Sequence, residues 1–197
     1  MSGVIPLNKT IAKVKNGIHG TIVIPGDKSV SHRSLMISAL CDGQTVHVKN
    51  FLRSADCLST LGAIRALGVT VKENDDNSLD ITGVGLQGLQ EPQTIVDAGD
   101  SGTLLRLMMG LLAAQPFLTT FTGDAALHKR PMGRVIKPLE MMGAKIVGRK
   151  DNTLLPITIL PNEKKNFHGM TYEMPVASAQ VKSAILLAAL TAGVEVK

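Results

Sequence analysis

The sequence predicts an α/β fold of the α+β kind: repeated βαβαββ units, with the helices in a shared core and sheets flanking it. Three observations carry this prediction. Helix and strand signals alternate along the chain. One pattern returns with a period of roughly 75 residues, the length of one supersecondary unit. Glycines and aspartates that stop or turn the chain recur at that same period.

The repeated helices come first. "SVSHRSLMISAL" from Ser29, "GTLLRLMMGLLA" from Gly102 and "SAQVKSAILLAAL" from Ser178 each open on small polar residues and become apolar within a turn or two. Their starts are almost evenly spaced along the chain. Each carries a cation four positions after its start, namely Arg33, Arg106 and Lys182, which puts the small residue and the cation on one helix face. The strands "QTVHV", "FLTTFTG" and "GVEVK" follow these helices. Then "ALGVTVKENDDNSLDIT" (66–82) and "MMGAKIVGRKDNTLLPIT" (141–158) each read as a helix end at glycine, a strand, a turn and a second strand. Gly68 and Gly143 are one period apart, and Asp76 and Asp151 are separated by the same interval. The third unit has its first helix and strand, but its matching glycine would fall past Lys197, so that unit reads as incomplete. The Met pairs at 108–109 and 141–142 read as core filling.

Composition narrows the function. With 197 residues and 44% apolar content the chain can bury a core in one or two globular domains. A formal charge of +5 suits an anionic partner. One Tyr, four Phe and no Trp leave little platform for base stacking, so nucleic acid is not expected. Cys41 and Cys57 form no CxxC, and no His or Cys stands at metal-ligand spacing, so neither a metal nor a disulfide is expected. The opening "MSGVIPLNKTIAKVKNG" has no apolar h-region, and the longest apolar runs fall well short of the ~20 residues of a membrane span. The expectation is a soluble, cytoplasmic chain.

"PGDKSVSHRS", residues 25–34, points to an anion cradle. A helix start presents unpaired N–H groups and the positive end of the helix dipole. Ser29 at such a start, with Lys28 beside it and Arg33 one turn on, offers hydroxyl, ammonium and guanidinium contacts to one phosphate or carboxylate. "DAGDSGT" (97–103) and "ASAQ" (177–180) make equivalent starts, and rotational repeats would aim all three at one place. "HKRPM" (128–132) adds Lys129 and Arg130 before a proline suited to a helix start. His32 and His128 read as satisfied or surface histidines.

Together "PGDKSVSHR", "DSGTLLR", "HKRPM" and "ASAQVKSA", in order and in register, resemble the enolpyruvyl transferase family from residue 20 onward. Lys28-Ser29, where the branch acting on UDP-N-acetylglucosamine has Lys-Asn, favours the shikimate branch. The resemblance implies transfer of the enolpyruvyl group from phosphoenolpyruvate to the 5-hydroxyl of shikimate 3-phosphate, with release of phosphate and no cofactor. It implies Lys28 as a cation shared by both substrates and Ser29 and Arg33 as shikimate-side contacts. Gly102 would be a close backbone approach to phosphoenolpyruvate and Arg130 a clamp on it. Ser178 would hold the shikimate phosphate, and Gln180 would lie between the substrates. Asp100 departs from the family's more frequent Asn, and Ala179 from the Ser of some members. The family folds as two similar domains. Residues 1–19 would belong to the hinge and other domain and 20–197 to a first domain, truncated; the acid-base residues would lie in the other half, and the full-length protein would be monomeric. The alternative reading is a non-catalytic module that binds a phosphate metabolite.

Overall fold

In the computed structural model, residues 10, 12 and 17–197 are described, so the expectation of a separate segment at 1–19 falls largely outside the described residues. Asp27 caps α1 (Lys28–Ala39), its carboxylate accepting from the Val30 N–H at 2.7 Å. Then come β1 (Asp42–Val48), α2 (Ala55–Ala66), β2 (Thr70–Glu73) and β3 (Leu79–Val84). The second unit is β4 (Val96–Asp97), α3 (Gly102–Leu112), β5 (Thr119–Thr122), α4 (Gly133–Met141), β6 (Ile146–Gly148) and β7 (Leu154–Ile159), a full βαβαββ set. The third is carried by α5 (Ala179–Ala192).

The sheets repeat as well. The first has the order β1-β3-β2, all antiparallel; the second has the order β4-β5-β7-β6, with β4 parallel to β5 and β7 antiparallel to both its neighbours. Strands β3 and β7 alternate, burying Leu79 and Ile81 on one and Leu155, Ile157 and Ile159 on the other, as a one-sided sheet requires. Around α5, Met170 and Val196 form a single parallel bridge, the counterpart of β4 beside β5.

The glycine stops have a common geometry. Gly68 and Gly143 take φ of +85° and +106°, and the next residue's N–H reaches back into the helix, Val69 to the Ile64 carbonyl and Ala144 to the Leu139 carbonyl. The hairpin turns match too, since Asn77 and Asn152, again one period apart, are both left-handed with φ of +65° and +61°.

Helix α3 is buried along its whole length apart from Thr103, because it packs against all the other helices named here. Its closest neighbour is α5. The first turns join through Gln180 and Thr103, and further along Gly110 lies against the Ala184 carbonyl, so the two helices run in the same direction. Helices α1 and α2 are likewise parallel, linked by Lys28 to Asp56 and, one turn on, by His32 to Thr60. No helix among the described residues is long and apolar enough to cross a membrane.

Residues 21–24 form no strand, and Ile22, Val23 and Ile24 are exposed. Three local expectations are corrected. The helix bodies are not buried all round: Ile37, Leu186 and Leu190 are about half exposed along an apolar groove between α1 and α5. Met142 is core, but Met141 points outward, since neighbours on a helix sit about 100° apart. Pro131 precedes the capping residue Met132 instead of opening α4.

Candidate functional site

Each helix start is built by a cap that spends one side-chain oxygen on the N–H three residues on. Asp27 does so for α1, Ser101 for α3 and Ser178 for α5, and each first turn carries the positive end of its helix; at α3 the Gly102 N–H also turns back to the Asp100 carbonyl at 3.0 Å. Ser178 thereby has its oxygen engaged as an acceptor at 3.4 Å, while its hydroxyl hydrogen stays available.

Side chains then tie the starts together across the repeats. The Lys28 ammonium pairs with the Asp56 carboxylate on α2. Asp56 in turn lies within hydrogen-bonding reach of the Asp100 carboxyl, just ahead of α3. Arg130 donates to the Asp100 carbonyl at 3.1 Å. On the other side Arg106 donates to the Gln180 Oε1 at 2.8 Å, and the Gln180 amide donates to the Thr103 Oγ1 at 3.0 Å. Arg33 donates to the Ser29 carbonyl at 3.2 Å and to the Ser183 Oγ at 2.9 Å, joining α1 to α5.

Glycine at 102 makes room for a guanidinium. A Cβ there would stand 2.6 Å from the Arg106 Nη1, which would have to shift, and in ordinary contact at 3.7 Å with the Arg130 Nη1. Gly26 is as tightly held, since a Cβ would meet the Asn50 carbonyl oxygen at 2.0 Å.

The expected residues do not all share one cleft. Arg130 lines a cleft of about 700 Å³ with Arg106, Arg134 and Lys137. Ser178 lines an adjoining one of about 280 Å³ that shares Arg134 and Lys137. Arg33 turns instead to the apolar groove, held there by Ser183. Lys28 and Ser29 stand exposed at the start of α1, and Gln180 bridges α3 and α5. The grouping is one of helix starts joined by polar contacts, with cavities on its flank.

The carboxyl pair sets the charge at its centre. Burial works to raise Asp56, but the hydrogen bond from Asp100 and the Lys28 ammonium outweigh it and hold the group below the usual carboxylate range. Asp100 is pushed up, first by that shared hydrogen bond and then by the negative charge on Asp56. The pair is thus driven apart, with Asp56 favouring the charged form that pairs with Lys28.

The family model for EPSP synthase (3-phosphoshikimate 1-carboxyvinyltransferase) matches residues 12–197. The chain belongs to the EPSP synthase family. It is 51% identical over 184 residues to the 3-phosphoshikimate 1-carboxyvinyltransferase of Bacillus cereus (strain 03BB102), covering 93% of this chain and 42% of that protein. It is 50% identical over the same length to the enzyme of that name from Bacillus anthracis (strain A0248). A solved structure of EPSP synthase from Acinetobacter baumannii superposes with a TM-score of 0.82 at 46% identity, covering 87% of this chain and 38% of that one. The chain thus spans about two fifths of the length of these members of the EPSP synthase family.

Several residues of this grouping were not singled out by the sequence. Asp56 sits in "ADCLST", which has no motif, and its link to Lys28 depends on two helices lying side by side. Arg134 and Lys137 are three apart on α4 and so share a face, a signal that was present in the spacing. His32 is core, as the plain reading held: it is fully buried, its Nδ1 lies 2.6 Å from the Thr60 Oγ1, and its Nε2 has no partner among the described residues.

His32 gives a stability prediction. Burial lowers its pKa to about 4 against the partial opposition of Asp56, with Lys28 and Arg33 lowering it further. The folded state therefore favours neutral His32, so its contribution is intact above the ordinary value of 6.5 and is lost as pH falls from 6.5 towards 4. The full loss is about 3 kcal/mol. Urea unfolding at pH 7.5 and pH 4.5 should show a larger drop for the native chain than for His32→Gln, and equal drops would contradict the assignment.

Proposed function

We propose that this chain supplies one anion-binding half of an enolpyruvyl transferase site, in which the 5-hydroxyl of shikimate 3-phosphate adds to C2 of phosphoenolpyruvate and phosphate leaves. The observation that carries the reading is the joining of three helix starts, with their cations, through Lys28–Asp56–Asp100, Arg106–Gln180–Thr103 and Arg33–Ser183. Both substrates carry a phosphate and a carboxylate, and two such anions meet only where their charges are neutralised by preorganised donors.

In this reading Lys28, with a half-exposed side chain, keeps one donor on Asp56 and turns the others to the two substrates. Ser29 faces shikimate 3-phosphate, and Arg33 reaches it by turning from the apolar groove and its Ser183 contact. Ser178 holds its phosphate with the free start of α5. Gly102 brings the α3 backbone to phosphoenolpyruvate, Arg130 clamps it, and Gln180 separates the two ligands. Proton transfer to C3 of phosphoenolpyruvate and from the 5-hydroxyl is assigned to the part of the family length beyond these residues, because Asp56 is committed to Lys28 and Asp100 to Asp56. Residues 20–197 form the first of two domains, acting as a monomer in the cytoplasm.

The test is phosphate release from the two substrates. The 197-residue chain alone should release none, and mixing it with the remainder of a family member's sequence should restore turnover. Turnover by the chain alone would overturn this division of the site. Binding of shikimate 3-phosphate without turnover in the reconstituted pair would favour a non-catalytic binding module.

A further inference from the structure

Arg106 is 6% exposed, yet among the described residues no carboxylate contacts it. Its Nη1 donates to the neutral Gln180 amide, whose orientation is fixed by Thr103, and its Nε has no partner among the described residues. A buried guanidinium is ordinarily paired, because removing it from water is costly. Here the nearest charges are of the same sign. Burial first, and then the positive charges of Arg134 and Arg130, lower its pKa. The cleft of about 700 Å³ is lined by Arg106, Arg130, Arg134 and Lys137, with Thr153, and by no acidic residue. Gly102 leaves room for the Arg106 Nη1, and the Arg130 Nη1 lies beside it.

We propose that this cleft is a second oxyanion site, which takes a phosphate or carboxylate group between the buried Arg106 guanidinium and the exposed Arg134 and Lys137. Of the residues assigned above to the two substrates, only Arg130 lines it, while its rim residues Arg134 and Lys137 also line the Ser178 cleft, so the site adjoins theirs. Arg106 supplies the floor of the cleft as a fixed positive charge, its guanidinium held by Gln180. Arg134 and Lys137, one turn apart on α4, supply adjustable charge at the rim. Thr153 adds a hydroxyl whose hydrogen is spent on the Lys150 carbonyl, so it lines the cleft without donating into it.

The test follows the Arg106 Nε–Hε signal by NMR in the 197-residue chain during titration with inorganic phosphate, and separately with acetate, at constant ionic strength in sodium chloride. A saturable shift with phosphate, or with acetate alone, supports the site and tells a phosphate ligand from a carboxylate one. Arg134→Gln and Lys137→Gln, both exposed positions, should each weaken the response about tenfold. Lys145→Gln, an exposed cation elsewhere on the surface, should leave it unchanged. A shift that grows without saturating, that chloride reproduces, or that is indifferent to both α4 variants would overturn the proposal. Loss of shikimate 3-phosphate binding at Ser29 and Ser178 with the Arg106 response intact would instead fault only the substrate assignment.

Discussion

Replacing Lys28 by Met is expected to lower kcat/KM about a thousandfold, equivalent to about 4 kcal/mol, in a full-length polypeptide that contains this chain. The magnitude follows from two charge-assisted contacts at roughly 1.5–3 kcal/mol each, one to either substrate, both lost with a single ammonium. Arg33→Ala should cost only about tenfold, because that guanidinium already spends donors on the Ser29 carbonyl and on Ser183. Removing Lys28 also leaves Asp56 charged and unpaired beside the site, which would repel substrate by itself. The double variant Lys28→Met, Asp56→Asn separates the two effects. Recovery below about tenfold is expected if the ammonium itself contacts both substrates. Full recovery would mean that Lys28 serves only to neutralise Asp56.

Gly110→Ala should destabilise the chain by about 2–3 kcal/mol, against the sign that helix propensity predicts. In an open helix the change gains about 1 kcal/mol. At position 110 the new Cβ would stand 2.1 Å from the Ala184 carbonyl oxygen, a backbone atom that no rotamer change can move away. Helices α3 and α5 would have to separate, and the Gln180 link between their first turns would stretch with them. Gly62→Ala is the matched control, since that glycine lies within α2 with nothing inside 4 Å of the added atom. It should be neutral or stabilising by up to about 1 kcal/mol. Thermal unfolding should therefore place Gly110→Ala about 5–10 °C below the native chain and Gly62→Ala at or above it. Equal midpoints would mean that α3 and α5 are not in backbone contact.

The repeat was legible because it is written in residues whose backbone needs are specific. Gly68 and Gly143 end helices in the left-handed region, and Asn77 and Asn152 turn hairpins there, so one period is marked by four residues with few substitutes. Strand pairing was less legible. Residues 21–24 carry the apolar pattern of a strand, but a strand exists only with a hydrogen-bonded neighbour, and sequence pattern does not say whether one is present.

The site divides in the same way. Lys28, Ser29, Arg33 and Ser178 could be picked out because their chemistry is local to a helix start. Arg106 was legible as a cation one turn into α3, but its burial was not, since that depends on α5 and α4 closing over it. Asp56 meets Lys28 from the neighbouring helix of the same unit, and Gln180 meets Thr103 from a different unit altogether. Contacts of that range are set by helix packing, and a single helix's pattern does not contain them.

Whether the starts of α1 and α5 converge on one ligand decides between a shared site and two unrelated helix ends, and a titration of the 197-residue chain with shikimate 3-phosphate, followed by backbone and side-chain NMR, answers it. Ser29 and Arg33 on α1 and Ser178 and Gln180 at the start of α5 are expected to shift together along one saturation curve. Ser178→Ala should weaken all four responses in parallel. Shifts confined to one helix, or separate curves for the two, would contradict the shared site.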